Sequence, residues 1–481
     1  MIRKFLTYGV GSIGTAIISF MTVPILTRIL DPSNYGKGGL YLTIVTFLFY
    51  ICNIGLDMGY MRFFFEKNSK LDKIQLFYQC LLIVFILYLI VVCVFFLNRR
   101  YVLDFFFEGD SIGICLAIML GLLFFILNRF SMLSLRIQQR AFLYSLAQIL
   151  NALINFLGII IFYYGYDIVN FTLIVYSQFF SLFCVSLLLI LLDLERWKIK
   201  KYFRISVTHW SQFNATFKYS WPFLFSFLII WGMQYIDRIF LIKLSSFDQL
   251  GIYSAAFSLT APMVMFQGIF TTMWAPIGNK ILIDNSFKGK YIYHVLYKNM
   301  SILMFLGVVF VFSIKDVLIY VLGENFRGAV YIFLWLLFLP IFNLLSQLLN
   351  AGIIKSKKTK WNIWASTLGF IVNLIACYVL IPSLHALGAA ISLVAGSFMF
   401  FLVKMLSNYI NYPFKIHHFH FVLSLLVCVI SFIFIYLKLI LLSWVFILTL
   451  LAYQILLMLR KQNISMILKV LKLTSTPDNL G

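Results

Sequence analysis

Phe77-Tyr-Gln-Cys-Leu-Leu-Ile-Val-Phe-Ile-Leu-Tyr-Leu-Ile-Val-Val-Cys-Val-Phe-Phe-Leu97 runs for 21 residues without a charge. A helix rises about 1.5 Å per residue, so this run reaches about 30 Å, the thickness of a hydrocarbon core. Outward from it, apolar runs of similar length recur between polar breaks along the whole chain. Toward the N-terminus they cover 5–29 and 40–61. Toward the C-terminus they cover 112–133, 142–163, 171–192, 219–242, 252–274, 297–314, 329–351, 361–381, 387–407, 420–437 and 440–459. The chain of 481 residues is 63% hydrophobic and 11% charged, against about 45–50% and 25% in a soluble domain. The expected fold class is an all-α membrane protein with about fourteen transmembrane helices.

A formal net charge of +22 would suit nucleic acid if it were clustered, but the basic residues sit in short loops between apolar runs. With the N-terminus in the cytoplasm, 28 of the 38 lysines and arginines fall on the cytoplasmic side and 8 on the other, while Arg129 and Arg238 fall within helices. That bias follows the positive-inside rule. It predicts cytoplasmic termini, an even number of crossings and no nucleic-acid partner. Arg3 and Lys4 before the first run imitate a signal peptide, but no small-residue cleavage site follows, so a retained helix is expected. The seven cysteines lack zinc-ligand spacing. His417, His418 and His420 have no fourth ligand nearby in sequence, so no metal site is expected. Nor is there a Gly-rich nucleotide loop, a nucleophile motif or a carboxylate pair. Loops on the far side are short, the largest around 98–111, which leaves no room for the extracytoplasmic domain of a polymerase or glycosyltransferase. The chain reads as a transporter and not an enzyme.

Two copies of a six-helix unit are legible. Lys4 and Tyr8 open the first, Lys218 and Tyr219 the second. Asn34-Tyr35-Gly36 recurs as Gln249-Leu250-Gly251, and Glu108-Gly109-Asp110 as Leu322-Gly323-Glu324. Ala147, Leu150 and Asn155 pair with Ala365, Leu368 and Asn373, and all three offsets lie between 214 and 218. Six crossings return the chain to the same side, so the copies form a parallel repeat, a recurrent transporter design with the substrate path between halves. The expected domains are an N-terminal lobe at 1–195, a basic cytoplasmic linker at 196–218, a C-terminal lobe at 219–408, and two extra helices with a tail at 409–481.

The stretch Phe20-Met-Thr-Val-Pro24-Ile-Leu-Thr27-Arg28-Ile-Leu-Asp31-Pro32-Ser-Asn-Tyr35-Gly36 resembles the polysaccharide-exporter flippases, the Wzx-type O-antigen transporters. Their first helix ends in proline, then Leu-Thr-Arg, then a Pro-x-x-Tyr-Gly turn. Asn53-Ile-Gly55-Leu56 with Arg62-Phe63 and Glu66, Asp237-Arg238, and Leu250-Gly251-Ile-Tyr253-Ser254 look like matching places in their second, seventh and eighth helices. The resemblance implies the multidrug/oligosaccharidyl-lipid/polysaccharide (MOP) exporter fold in the bacterial cytoplasmic membrane. It implies as substrate an undecaprenyl-pyrophosphate-linked O-antigen or capsule repeat unit, moved outward by alternating access. A polysaccharide polymerase and a chain-length regulator are the implied protein partners, alongside membrane lipids. A multidrug or cation exporter, or a lipid II flippase, on the same fold is the alternative; a polymerase or ligase is less favoured. Asp57 stands where such proteins more often carry an apolar or small residue, so no family role is carried over to it.

Ionisable groups within spans are costly and are functional candidates by default. Arg28, Arg129 and Arg238 are candidates for holding a pyrophosphate through charge-assisted hydrogen bonds, and end-of-helix anchoring is the competing reading. Asp57 and Asp237 are candidates for taking up a coupling proton or sodium ion; no other cofactor is expected. Gln148, Asn151 and Asn155 share one helix face by spacing, as do Asn343, Gln347 and Asn350, and Asn373 lies deep in a later helix. Asn151, Asn155, Asn343, Gln347 and Asn373 are therefore candidates for a sugar path, since hydroxyls need neutral donors and acceptors. Interhelical bonding is the equal alternative. Pro24, Pro222, Pro262 and Pro340 are expected to kink or start helices.

Overall fold

A computed structural model describes residues 2–66, 69–109, 111–193, 197, 213–283, 287–356, 358–414 and 418–459, and contains no strand among them. The helices are α1 Ile2–Ile29, α2 Pro32–Asn53, α3 Leu56–Phe63, α4 Lys70–Leu97, α5 Arg99–Phe107, α6 Ile112–Ile137 and α7 Ala141–Tyr166. They continue with α8 Thr172–Leu192, α9 Asn214–Ser220, α10 Pro222–Leu244, α11 Phe247–Leu259, α12 Ala261–Ile283 and α13 Phe287–Ser313. The last are α14 Lys315–Val321, α15 Val330–Leu336, α16 Phe338–Leu349, α17 Ala351–Ser356, α18 Lys360–Asn411, α19 His418–Tyr436 and α20 Ile440–Leu459.

Local chemistry sets many of the ends. Asp31 caps α2, its Oδ1 accepting from the Asn34 amide at 2.7 Å, and Pro32 follows at the first position, where a missing N–H costs nothing. Ser69 caps α4 by accepting from the Asp72 amide at 3.0 Å. Pro222 opens α10, Pro262 and Pro340 sit in the first turns of α12 and α16, and Pro24 lies inside α1. The expected outer loop at 98–111 contains α5, and residues 196 and 198–212 of the expected basic linker lie outside the described residues.

Eleven helices among the described residues are long and apolar enough to cross a membrane, or twelve if α11 and α12, bent by 51° at their junction, make one span. Fourteen were expected. One source of the difference is α18, whose 52 residues count once. His385 breaks it with φ 50° and ψ −125°, three residues after Pro382. A Cβ on Gly388 would lie 2.4 Å from Leu380 O, and one on Gly396 would lie 2.7 Å from Asn373 Cβ. In a straight helix residues 8 apart are separated by about 12 Å, so α18 is a hairpin whose arms run back along each other. The other is α19, whose stretch His420–Tyr436 falls among the shorter apolar helices of 10–17 residues. The chain is an all-α, multi-pass membrane protein.

By contact the chain forms two compact units, one of Met1–Ile236 with Ser246–Ser254 and one of Asp237–Ser245 with Ala255–Gly481. This grouping is different in kind from the repeat boundaries read in the sequence, and it divides α10. In the first unit α7 packs between α1 and α8, while α6 packs against α2 and α8. Its core centres on Phe77, whose ring meets Tyr60, Phe130 and Trp197 at 5.7, 6.0 and 5.5 Å between centroids. In the second unit α15, α16 and α17 pack against α18, with Phe342 against Phe398 and Phe401 at 5.3 and 5.8 Å. Much of the phenylalanine in this chain is therefore packing, worth about 0.5–1.5 kcal/mol per ring pair beyond area.

Candidate functional site

In the first unit the chain breaks between α2 and α3 at Ile54 and Gly55, with φ 43° and 73°. Gly55 is required there: its φ is left-handed, and a Cβ would lie 2.5 Å from Ser220 O. The break brings Asn53 and Asp57 together. Asp57 is 3% exposed. Its Oδ1 accepts from Asn53 Nδ2 at 2.7 Å and from the Met58 amide at 3.0 Å. Its Oδ2 accepts from Arg129 Nη2 at 3.3 Å. The Arg129 side chain is 50% exposed. A sunken carboxylate thus holds one edge of a guanidinium and leaves the other N–H donors outward, a geometry suited to phosphate oxygens. Asp57, read in sequence as an ion-coupling candidate, is here the counter-charge that positions Arg129.

Beside this pair runs an aromatic seam. Phe223, Phe227, Trp231 and Tyr235 recur every four residues on α10. Tyr50 stacks on Phe227 with centroids 5.2 Å apart, Phe47 meets Trp231 at 4.6 Å, and Trp231 Nε1 donates to Thr43 O at 3.3 Å. Tyr50 lies close enough to Arg129 to feel its charge. The spacing of four was the available signal for this seam, and the apolar span masked it.

The second unit gathers a different cluster. Asp237 and Asn373 are both fully buried. Cys377 Sγ donates to Asn373 Oδ1 at 3.4 Å and lies close enough to Asp237 to feel its charge, and Ser392 Oγ donates to Gly388 O at 2.7 Å. Asp237 Oδ1 also accepts from the Arg238 amide at 3.0 Å, and the Arg238 guanidinium lies 5.9 Å from the Phe257 ring centroid. The α18 hairpin makes this convergence: one arm supplies Asn373 and Cys377, the other Ser392 and the Gly396 that gives Asn373 room. Carboxylate, amide and hydroxyl oxygens together are ligands for a hard monovalent cation or a relay for a proton.

The amide stripes divide. Asn151 accepts from the Ser181 hydroxyl of α8, both through its backbone O at 2.8 Å and through its side chain, so it bonds helix to helix. Gln148 and Asn155 are half-buried, and the Oδ1 of Asn155 is without a partner. Asn373, its repeat mate, is fully buried; the two stand in unlike surroundings. Asn343 is half-buried, while Gln347 accepts from Asn350 at 3.1 Å. Arg28 is exposed in the last turn of α1. His417 lies outside the described residues, and His420 bonds the Tyr453 hydroxyl. Among the described residues no three His, Cys, Asp or Glu side chains cluster as a metal site would require.

The repeated turn also has a physical role. Asn34-Tyr35-Gly36 and Gln249-Leu250-Gly251 each open a helix, α2 and α11. A Cβ on Gly36 would lie 2.8 Å from Gly251 N, and one on Gly251 would lie 1.8 Å from Pro32 O. The two helix starts meet backbone to backbone, which only glycine permits.

A family model described as "Polysaccharide biosynthesis protein" matches residues 1–281, which include α1 to α11 and the Asp57–Arg129 pair. The chain belongs to that family. No curated protein matches the sequence. Among solved structures, the family member is similar to "Lipid II flippase MurJ, inward closed conformation", at 14% identity and a TM-score of 0.68, over 95% of this chain and 99% of that one. It is also similar to a multidrug resistance MATE family transporter of the MOP superfamily. The inward-facing form gives 14% identity and a TM-score of 0.59, over 83% of this chain and 93% of that one. The outward-facing form gives 14% identity and a TM-score of 0.52, over 84% and 93%. At such identities the likeness establishes the fold: this polysaccharide biosynthesis protein has the architecture of the MOP-superfamily transporters.

Proposed function

We propose that this polysaccharide biosynthesis protein is a flippase. It moves an undecaprenyl-pyrophosphate-linked oligosaccharide, an O-antigen or capsule repeat unit, from the cytoplasmic to the outer leaflet by alternating access. The observation that carries this reading is Arg129, a guanidinium held by a buried Asp57 with donors to spare. A pyrophosphate is met by a cation fixed in place with N–H donors left free, and an exporter of cationic drugs has no use for one. Arg28 and Arg238 are further candidates for following the headgroup, and Asn155, Asn343 and Gln347 for the sugar hydroxyls. The 28-to-8 division of basic residues supports cytoplasmic termini, with polymerase and chain-length regulator as candidate partners on the outer side. A lipid II substrate is the second reading, favoured by the MurJ-like fold; it shares the pyrophosphate and differs in the sugar. Deleting the gene decides between them. The proposal expects undecaprenyl-linked repeat units to accumulate on the inner leaflet, and normal surface polysaccharide in the deletion strain would defeat it.

Transport is proposed to be coupled at Asp237, with Asn373 and Ser392 completing the oxygen set. Asp237→Asn keeps size and hydrogen bonding but removes the charge that a proton or sodium ion would neutralise. Export should fall at least about tenfold, the equivalent of about 1.4 kcal/mol, and its dependence on the ion gradient should vanish while membrane abundance holds. Unchanged gradient dependence in that variant would move the coupling site elsewhere.

A further inference from the structure

The second arm of α18 buries a lysine. Lys404 is 3% exposed, and its ammonium donates to Asn350 Oδ1 at 2.5 Å and to Asn362 Oδ1. The Phe400 ring centroid lies 5.2 Å from Nζ. Among the described residues Lys404 joins no ion pair. Between Glu324 and Asp478 the sequence has no acidic residue, so α16, α17 and α18 hold no carboxylate to offer it. A buried ammonium costs several kcal/mol unless a counter-charge meets it. Two neutral amide oxygens do not supply one.

Further donors stand close by. Asn408, one turn along from Lys404, is fully buried, and neither its Oδ1 nor its Nδ2 has a partner. The buried hydroxyls of Ser407 and Ser346 are likewise unpartnered. Asn362, by contrast, is exposed, so its amide is the outer cover over the ammonium. Lys358 and Lys360 next to it in sequence are exposed too, and Lys355 donates to Leu282 O at 2.9 Å. Ile363, Trp364 and Ile371, exposed by 55%, 58% and 44%, continue an apolar outer face down the same arm. Lysines with tryptophan beside an apolar helix face mark a membrane interface, where lipid phosphates lie.

We propose that Lys404, Asn350 and Asn408 form a binding site for a lipid-borne phosphate, entered by displacing the Asn362 amide. The phosphate supplies the negative charge that α16, α17 and α18 lack, accepts from the ammonium and the Asn408 amide, and leaves its acyl or prenyl chain along Ile363, Trp364 and Ile371. Phosphate of this kind has two sources, the anionic phospholipids of the bilayer and a prenyl pyrophosphate.

The test uses the purified full chain, delipidated in detergent, and follows thermal stability and native mass against added phosphatidylglycerol, phosphatidylcholine and farnesyl pyrophosphate. Phosphatidylglycerol should raise the melting temperature of the unmodified protein and phosphatidylcholine should not. Lys404→Gln should weaken the apparent phosphatidylglycerol affinity at least about tenfold, the loss of one charge-assisted hydrogen bond. Asn362→Asp gives Lys404 an internal carboxylate; it should fold with a melting temperature at or above the parent's and lose the lipid response. If Lys404→Gln fails to fold, Asn362→Asp decides alone. A Lys404-dependent response stronger for farnesyl pyrophosphate assigns the site to prenyl lipids, and one confined to phosphatidylglycerol assigns it to the bilayer. Equal lipid responses in Asn362→Asp and the parent, or no response to either phosphate, would overturn the proposal.

Discussion

Gly251→Ala should sharply reduce the melting temperature of the purified protein. Two effects oppose each other. Alanine inside a helix is favoured over glycine by about 1 kcal/mol, and Gly251 lies inside α11. Against that, the new methyl would sit 1.8 Å from Pro32 O, with Pro32 C at 2.5 Å and Cα at 2.8 Å. These are backbone atoms at the capped start of α2, not the tip of a flexible side chain, so a backbone shift of more than 1 Å is the only relief. Overpacking of this kind costs about 1–3 kcal/mol and occasionally more. The clash wins, and a net loss of about 2 kcal/mol is expected. Gly268→Ala is the control: Gly268 is in α12 with nothing within 4 Å of its would-be Cβ, so helix propensity should leave the protein as stable or more so. Equal melting temperatures for both variants would show that the two helix starts are not held in contact.

Asp57→Leu should abolish export and lower stability, and the two losses should separate. The substitution leaves Asn53 Nδ2 and Arg129 Nη2 without their acceptor, while the Met58 amide keeps Gly55 O at 3.0 Å. Hydrogen bonds to a buried charge are worth about 1.5–3 kcal/mol, but Arg129 is 50% exposed and regains part of its share from solvent. A stability loss of about 2 kcal/mol follows. Adding Arg129→Leu should restore part of that stability, because removing both members of a pair is cheaper than removing one. It should not restore export. Asp57→Asn, which retains an acceptor, should keep abundance near the parent's and still slow export about tenfold or more. Thermal melts beside a surface-polysaccharide assay check all three, and export by the double variant at the parent's rate would remove Arg129 from the substrate path.

What could be read from sequence follows from what periodicity encodes. Uncharged runs gave the helices, and the interruption around Pro382 and His385 already divided 361–381 from 387–407. The recurrence of Asn34-Tyr35-Gly36 as Gln249-Leu250-Gly251 pointed to turns that do pack against each other. Pairing was the part that stayed hidden. Asp57 and Arg129 stand 72 positions apart, and a helical wheel tells which residues share a face without telling which helix that face meets. The same gap left Asn151 open between a sugar path and interhelical bonding, and its partner Ser181 of α8 could not be named from spacing. The burial of Lys404 stayed hidden as well, because burial leaves no mark on composition.

The most direct measurement places the purified protein in liposomes carrying an undecaprenyl-pyrophosphate-linked oligosaccharide in both leaflets, with a membrane-impermeant glycosidase outside. The flippase account predicts that inner-leaflet sugar, protected in empty liposomes, becomes cleavable at a rate set by the amount of protein, and that Asp57→Leu stops this. Folded protein that leaves the inner-leaflet sugar protected would contradict it.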